Sequence, residues 1–355
     1  MAWPRWSNGN AYTDFRQLMA VVKINDTTYE SASPAYSPGG FTRAFGGHVY
    51  AQAAYVAAQT VKKGFVLHSI TGWFTLQGDT TRPFTYRVET IREGGGYCQR
   101  QVYVTQDSTK GVCFTCICSF KRPEPDLNRR ALKANFREQY AAVLAGKNPD
   151  DHPECPGIDS PYWWKVEEER GWIDPFPGLK TRKVDMTRYN EGKEALDRRQ
   201  LMYYRVIGDM PKVADDANLH AAAHLYASDR NGLFPIANFL DLGDNYSAIA
   251  SLNHTFIFHE EAAGISTINE ETGEPWNFIS EEKLDHVGHG RGLAVWRFWR
   301  EDGLHVASAF QDGMMRFTPE GKGAAAAAFE GMVKDKSEKK STKSAKQNAP
   351  KEEKL

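Results

Sequence analysis

The chain has 355 residues, of which 41% are apolar and 25% charged, and a formal net charge of -1. This length fits one large domain or two of ordinary size, with enough apolar material for a core. The balanced charge argues against a surface built for polyphosphates, so we expect no nucleic-acid partner. No run approaches the roughly 18 apolar residues of a membrane span, so we expect no stable membrane insertion.

Residues 1–123 are predicted to form a first domain around an alanine-rich helix. In chain order its candidate elements are the strands MAVVKIND and TTYESAS, the helix GGHVYAQAAYVAAQTV (46–61), the strand LHSITGWF (67–74), and the runs FTYRVETIRE, YCQRQVYVTQD and GVCFTCICSF. The last three runs are either three strands or two long ones with a bend. EGGGYC (93–98) lacks the Gly-Lys-Ser/Thr of a phosphate loop and indicates a hairpin turn.

Residues 124–176 are predicted to be a connector. RRALKANFREQYAAVLAG (129–146) has the composition of a surface helix, and the stretch after it is rich in Pro and Trp. This pattern is typical of a loop that bridges two domains, with Trp163 and Trp164 covering the seam. The segment could also act as a lid.

Residues 177–320 are predicted to form a second domain that repeats the first. Its candidate elements are the strands TRKVDMTRY and RRQLMYYRVIG, the helix LHAAAHLYASD (219–229), and the strands SAIASLNHTFIFH, NFISEEKLDH, RGLAVWRFWRED and HVASAFQDGMMRF. Ser119 follows Pro83 by the same interval that separates Gln311 from Pro275, which indicates a duplication. Small side chains let each helix approach a sheet closely, so both helices are predicted to be central and buried.

The two ends of the chain bear on its location. It opens MAWPRWSNGN without an apolar signal-peptide core and has five cysteines, an odd number, which favours a reducing intracellular compartment. Residues 321–355 are an alanine-rich segment and a lysine-rich tail that we interpret as disordered. The final Glu-Lys-Leu is a weak variant of the peroxisomal Ser-Lys-Leu, so we predict a cytoplasmic or peroxisomal location.

Stretches in both halves resemble the type II acyl-CoA thioesterase family, whose members fuse two hotdog domains in one chain. They are FTRAFGGHVYAQAAYVAAQTV, FVLHSITGWFTLQGD, LYASDRNGL, IASLNHTFIFHE and ASAFQDGMMRF. The resemblance implies an α+β double hotdog, with two antiparallel sheets that each wrap around a long central helix and are joined in one chain. It also leaves open whether the chain forms a homo-oligomer, since further association is common in the family.

The resemblance also implies hydrolysis of acyl-CoA by a water that an Asp, a Thr or Ser, and a Gln hold together. By motif these residues are Asp229, Ser251 and Gln311. Bacterial members carry Thr where this chain has Ser251, which keeps the hydroxyl but lacks the β-branch that stiffens χ1. The first half has Ser119 in the register of Gln311 and no Asp after its helix, so we expect it to be scaffold and pocket wall.

These residue types suit the cleavage of a thioester. A thiolate with a conjugate-acid pKa of about 8.5 leaves with little acid help, so a positioned water is an adequate nucleophile. A carboxylate can take the water's proton while an amide and a hydroxyl orient it. Each residue also has a structural interpretation, with Asp229 as a helix cap, Ser251 as a small strand residue and Gln311 as an exposed edge residue. Their joint occurrence favours catalysis.

Two other functions stay open. A double-hotdog enoyl-CoA hydratase would use an Asp and a His in a D-x-N-x-x-H pattern, and SDRNGLFP has Phe234 where the His belongs. A non-catalytic acyl-CoA-binding protein would keep the fold and lose turnover. An α/β-hydrolase is disfavoured because no G-x-S-x-G elbow is present.

We expect neither a cofactor nor a metal. Cys113 and Cys116 have C-x-x-C spacing but lie in a strand-like run without a second pair, so a buried apolar role is favoured. Five of the ten histidines are interpreted as structural or as lacking further metal ligands, namely His68, His254, His259, His286 and His289. Three arginines could contact the CoA phosphates, namely Arg43, Arg82 and Arg291. For each of them a solvated surface position is an equally open interpretation.

Overall fold

A computed structural model describes residues 14–40, 43–107, 110–170 and 176–318. The strands are β1 Val21–Lys23, β2 Thr28–Ser31, β3 Val66–Phe74, β4 Thr85–Arg92, β5 Tyr97–Thr105, β6 Val112–Lys121, β7 Leu179–Lys183, β8 Gln200–Val206, β9 Tyr246–Phe258, β10 Phe278–Gly288, β11 Arg291–Arg300 and β12 His305–Phe317. The helices are α1 Phe15–Leu18, α2 Gly46–Ala58, α3 Phe136–Gln139, α4 Ala141–Leu144, α5 Pro161–Arg170, α6 Thr187–Asn190, α7 Val213–Ser228 and α8 Phe234–Phe239. The predicted lysine-rich tail and the C-terminal tripeptide lie outside the described residues.

The strands form one antiparallel sheet whose two halves mirror each other. Its order is β1-β2-β4-β5-β6-β3-β9-β12-β11-β10-β8-β7. Read outward from the centre, β3-β6-β5-β4-β2-β1 matches β9-β12-β11-β10-β8-β7 strand for strand, as expected for a duplicated unit. The runs after residue 83 are three strands, β4, β5 and β6. A hairpin turn joins β4 to β5 at the predicted glycine-rich stretch 93–96.

The centre of the sheet corrects the prediction of two separate sheets. β3 pairs with β9 from Ser69 opposite Ile257 to Trp73 opposite Asn253, so the two halves share one hydrogen-bonded ladder. In the middle of this seam the hydroxyl oxygens of Thr71 and Thr255 lie 3.1 Å apart. Pairing satisfies the backbone groups of two strands that would otherwise be exposed edges.

Two long helices, α2 and α7, pack antiparallel to each other at the core. The hydroxyl of Tyr55, near the end of α2, donates to Asp216 Oδ2 at the start of α7 over 2.8 Å. Residues 47–54 of α2 and 219–228 of α7 are buried throughout, and alanines are frequent in both segments. Small side chains permit this close packing, because larger ones would hold the backbones apart. No helix in the described ranges is long and apolar enough to cross a membrane.

The connector differs from the predicted surface helix at 129–146. Only two single-turn helices form there, α3 and α4, and the residues before Asn135 are not helical. Asn135 Oδ1 accepts the Glu138 N–H and so starts α3. The apolar face of this segment is buried against the outer face of the sheet, where Phe136 and Trp299 stack edge-on with ring centroids 5.1 Å apart. The segment is therefore a packed cover on the second half.

Two histidines of α7 tie the helix to the segment between β9 and β10. His224 Nδ1 accepts from the Tyr204 hydroxyl over 2.8 Å, and its Nε2 donates to the Ile265 carbonyl over 2.9 Å. His220 Nδ1 accepts the Thr267 N–H over 3.0 Å, and its Nε2 donates to the Pro211 carbonyl over 2.9 Å. Each ring is therefore neutral, with one nitrogen donating and the other accepting. Burial lowers the pKa of His224 from 6.5 to about 4.

This lowered pKa predicts a pH-dependent stability. Below pH 6.5 the unfolded chain binds a proton at His224 that the folded chain refuses until about pH 4. The native state therefore loses about 1.4 kcal/mol per pH unit at this residue as the pH falls through that window. The stability of His224→Gln relative to wild type should rise by about 2 kcal/mol between pH 7.5 and pH 5, measured by urea unfolding.

His286 is exposed and lies in the same half of the chain. His286→Gln is therefore the matched control for replacing a histidine. An equal stability difference between wild type and His224→Gln at the two pH values would contradict the assignment.

Candidate active site

The polar cluster that follows the alanines of α7 begins at Asp229, which caps the helix. Asn231 has φ 57°, a left-handed conformation that ends helices and that Asn tolerates better than most residues. The side chains of this turn point inward, because Asp229 is only 8% exposed and Arg230 4%. A carboxylate is thus placed at the inner end of a buried helix, away from bulk water.

The structure brings the three residues singled out in the sequence together. Gln311 Nε2 on β12 donates to Asp229 Oδ1 over 2.5 Å and lies 2.8 Å from Ser251 Oγ on β9. The Ser251 hydroxyl lies 3.5 Å from the same carboxylate oxygen. Gln311 is completely buried, and its Oε1 has no hydrogen-bond partner among the described residues. The cluster therefore combines a carboxylate, a hydroxyl and an open carbonyl acceptor.

A β-bulge aims Ser251 into this cluster. On β12, Gln311 lies opposite His254 and Asp312 opposite Asn253, but the next residue, Gly313, lies opposite Ser251. The extra residue on β9 is Leu252. In a regular strand, Ser251 and His254 would face opposite sides of the sheet, and the bulge returns the serine to the inner face.

The first half contributes the start of α2. The Gly47 N–H donates to the Asp229 carboxylate, so the positive end of the α2 dipole meets the end of α7. A Cβ at Gly46 would lie 2.8 Å from Asp229 Oδ2, and one at Gly47 would lie 2.9 Å from Asp229 Cβ. Glycine at both positions is what allows the approach, and the site belongs to both halves.

Burial raises the pKa of Asp229 to about 6, against opposing effects from its neighbours. The hydrogen bonds from Gln311 and Gly47 lower it, as do the positive charge of Arg43 and the Ser251 hydroxyl. At neutral pH the carboxyl group is ionised but basic enough to take a proton.

From the sequence, His254 is rejected as a metal ligand, and the structure places it beside the site in a position that the sequence did not predict. It lies opposite Gln311, is completely buried, and stacks on Tyr50 with ring centroids 4.6 Å apart. Its Nε2 lies 3.3 Å from the Ser228 hydroxyl. Burial lowers the pKa of His254 to about 3, so it is a neutral packing element beneath Gln311. Its position opposite Gln311 depends on strand pairing, which carries no local signal.

The opposite end of the helix pair, where α7 of the second half begins beside β3 of the first, is filled differently. Asn218 Oδ1 accepts the Leu67 N–H over 2.9 Å, and its Nδ2 donates to the Phe65 carbonyl over 3.1 Å. Ser119, in the register of Gln311, lies opposite Ser69 on β3. The Ser119 carbonyl lies 3.0 Å from His68 Nδ1, so this histidine is held structurally by the backbone.

The remaining candidate groups lie apart from this cluster or at its rim. Arg43 is exposed and lies 3.4 Å from the Ile249 carbonyl, while Arg291 forms an ion pair with Asp312. The role of Arg43, Arg82 and Arg291 toward CoA phosphates stays a prediction. The five cysteines are all buried thiols, which agrees with the buried role predicted for Cys113 and Cys116. Among the described residues, no group of three or more His, Cys, Asp or Glu could hold a metal ion.

Comparisons with known proteins agree with this architecture. Residues 33–121 match the acyl-CoA thioesterase N-terminal domain and residues 149–315 the acyl-CoA thioesterase C-terminal domain. Acyl-CoA thioesterase 2 of Haemophilus influenzae is 27% identical over 314 residues, covering 85% of this chain and 96% of that protein. Acyl-coenzyme A thioesterase 8 of Mus musculus is 26% identical over 281 residues, covering 78% and 82%.

Solved structures share the fold. The crystal structure of acyl-CoA thioesterase II TesB2 from Mycobacterium marinum has a TM-score of 0.61 at 22% identity, covering 86% of this chain and 99% of its own. A conserved protein of unknown function with a hot dog fold from Alicyclobacillus acidocaldarius has a TM-score of 0.60 at 16% identity, covering 85% and 97%. With both domain families matched in order along the chain, this protein belongs to the acyl-CoA thioesterase family and is a thioester hydrolase.

Proposed function

We propose that the chain hydrolyses acyl-CoA to a free carboxylic acid and CoA, with a water activated by Asp229 and oriented by Ser251 and Gln311. The observation that carries the proposal is the buried carboxylate with a pKa of about 6, bonded to Gln311 over 2.5 Å. A general base works best when its pKa lies near the operating pH. An exposed Asp, with an ordinary pKa of about 3.9, would be a much weaker base.

The reaction needs one proton to move twice. Asp229 takes a proton from the water as its oxygen attacks the thioester carbonyl carbon. The carbon–sulfur bond then breaks, and the CoA thiolate leaves and recovers the proton from Asp229. Gln311 Oε1, which has no partner among the described residues, is a suitable acceptor for the second hydrogen of the water. No covalent enzyme intermediate is required.

The start of α2 is the proposed stabiliser of the negative charge that develops on the carbonyl oxygen. Its first turn, at Gly46 and Gly47, lies against Asp229. Because the Gly47 N–H is bonded to Asp229, the stabilisation is assigned to the positive end of the α2 dipole, which does not reorganise during the reaction. The first half would therefore take part in the chemistry, beyond the expected role of scaffold and pocket wall.

Several finer features remain proposals. Each half is proposed to be one hotdog unit whose part of the sheet wraps around its central helix, with domain limits at 1–123 and 177–320 and a connector at 124–176. A cytoplasmic or peroxisomal location and a homo-oligomeric state stay predictions. Peroxisomal acyl-coenzyme A thioester hydrolase 1 of Saccharomyces cerevisiae is a relative, 24% identical over 144 residues, 40% of this chain and 39% of that protein.

The hydratase alternative gains no support from the site. The hydrogen bonds to the Asp229 carboxylate come from Gln311, Ser251 and Gly47 among the described residues, and none of these is a histidine. Phe234, at the position a hydratase histidine would occupy, begins α8.

Replacing the proposed base should remove most of the activity. We expect Asp229→Asn to lower kcat by about 10²–10⁴-fold, the usual contribution of a general base, without lowering Tm, because the amide relieves a desolvated charge. Thiol release from a panel of acyl-CoA chain lengths measures the effect. Asp312→Asn, one residue beyond Gln311, is the matched control and should stay active. Near-normal turnover by Asp229→Asn would refute the proposed base.

The pKa of Asp229 sets the expected pH dependence. The base must be unprotonated, so activity should be present above about pH 6 and fall tenfold per pH unit below it. The measurement is kcat/KM for thiol release between pH 4.5 and 8, with the folded state checked at each pH. A flat profile down to pH 5 would show that another group controls the reaction.

The position of Gln311 depends on the absence of a side chain at Gly232. A Cβ there would lie 2.6 Å from Gln311 Oε1 and 3.0 Å from the Trp296 ring. We expect Gly232→Ala to displace the amide and lower kcat by at least about tenfold, since small misplacements of catalytic groups are costly. Gly95→Ala, with no atom within 4 Å of its new Cβ, is the control. Equal kcat values for the two variants would count against a role for the Gln311 amide.

A further inference from the structure

Arg230, the residue after the proposed base, has a buried guanidinium that joins three distant segments. It is 4% exposed. Its Nη2 donates to the Cys155 carbonyl over 3.2 Å, and its Nη1 lies 3.4 Å from the Gly157 carbonyl and 3.2 Å from the Tyr36 hydroxyl. Burying a charged guanidinium costs free energy unless its N–H groups are hydrogen-bonded. These contacts are therefore what allows Arg230 to be buried.

An aromatic face completes the surroundings of Arg230. The guanidinium carbon lies 4.3 Å from the centre of the Phe176 ring, a cation–π distance. Phe176 in turn stacks on Tyr226, one turn before Asp229 on α7, with ring centroids 4.5 Å apart. The guanidinium is therefore held both in its plane, by carbonyls, and on its face, by a ring that also packs on the catalytic helix.

Asn231 makes a second attachment to the same connector segment. Its Nδ2 donates to the Pro156 carbonyl over 2.9 Å and lies 3.3 Å from Cys155 Sγ. Two consecutive residues thus bind residues 155–157 of the connector, while Asp229 itself points toward Gly47 and Gln311. A helix end is otherwise prone to fray, because its last carbonyls lack intrahelical partners.

We propose that Arg230 is a positioning residue for hydrolysis, which fixes the backbone of Asp229 by clamping the turn 229–232 to residues 155–157 of the connector. The inference rests on the proposed role of Asp229. It assigns the connector a function in catalysis beyond joining the two halves. The planar guanidinium is essential, because its two terminal nitrogens together bind two carbonyls and one hydroxyl. The ammonium group of a lysine does not have this fixed planar geometry.

The test compares Arg230→Lys and Arg230→Met with matched changes at Arg100. Arg100 is also a buried guanidinium, 1% exposed, and its Nε and Nη2 each lie 3.0 Å from an oxygen of Thr60, on the first half. We expect both Arg230 variants to lower kcat at least tenfold with KM changed less than threefold. The Arg100 variants should lower Tm and leave kcat unchanged. A wild-type kcat in a folded Arg230→Met variant would overturn the proposal. If Arg230→Met does not fold, the kcat of Arg230→Lys decides instead.

A mutant cycle separates positioning from general destabilisation. If Arg230 acts through Asp229, adding Arg230→Lys to Asp229→Asn should change the residual rate less than twofold. A further tenfold loss in the double variant would mean that Arg230 acts independently of the base and would overturn the proposal.

A measurement that does not require turnover can test the clamp separately from the proposed function. Hydrogen exchange of the backbone amides in the turn 229–232 should be at least tenfold faster in Arg230→Lys than in wild type, and unchanged in Arg100→Lys. If wild type releases no thiol from any acyl-CoA, the proposed function fails while this measurement still tests the clamp. Unchanged exchange in Arg230→Lys would overturn the clamp whether or not the enzyme is active.

Discussion

The candidate site depends on holding one carboxylate where water is scarce. Asp229 is 8% exposed and would resist ionisation there without compensation. Compensation comes from donors on separate elements, the backbone of α2 at Gly47, the amide of Gln311 and the hydroxyl of Ser251. These donors converge only if two helices and two strands approach closely. The glycine pair at the start of α2 and the alanines along both helices are the sequence features that permit this approach.

Much of the fold could be predicted from the sequence because its signals are local or periodic. The alanine-rich segments indicated buried helices, and the repeated order of elements indicated a duplication. The join between β3 and β9 could not be predicted, because alternation along a strand does not say which partner lies beside it. The connector misled for a related reason: 129–146 has helix-forming composition, but its aromatic residues are buried against Trp299 and the helix breaks at Tyr140.

The proximity of the three candidate residues could be predicted from the sequence, and their geometry less so. Asp229, Ser251 and Gln311 were singled out through a family resemblance, and they lie together. The bulge that turns Ser251 inward has no sequence signature, and regular alternation would have placed the serine on the opposite face from His254. The contact of Gly47 with Asp229 joins positions far apart in the chain, so only the folded helix pair reveals it.

The seam between β3 and β9 also bears on how such a molecule could have evolved. In a dimer of two identical copies of an ancestral unit, any change that improved one copy would also be made in the other. Continuous pairing within one polypeptide fixes the stoichiometry at one of each half. Divergence then becomes tolerable, because the first half can carry Ser119 where the second half carries Gln311 and every molecule still contains both halves.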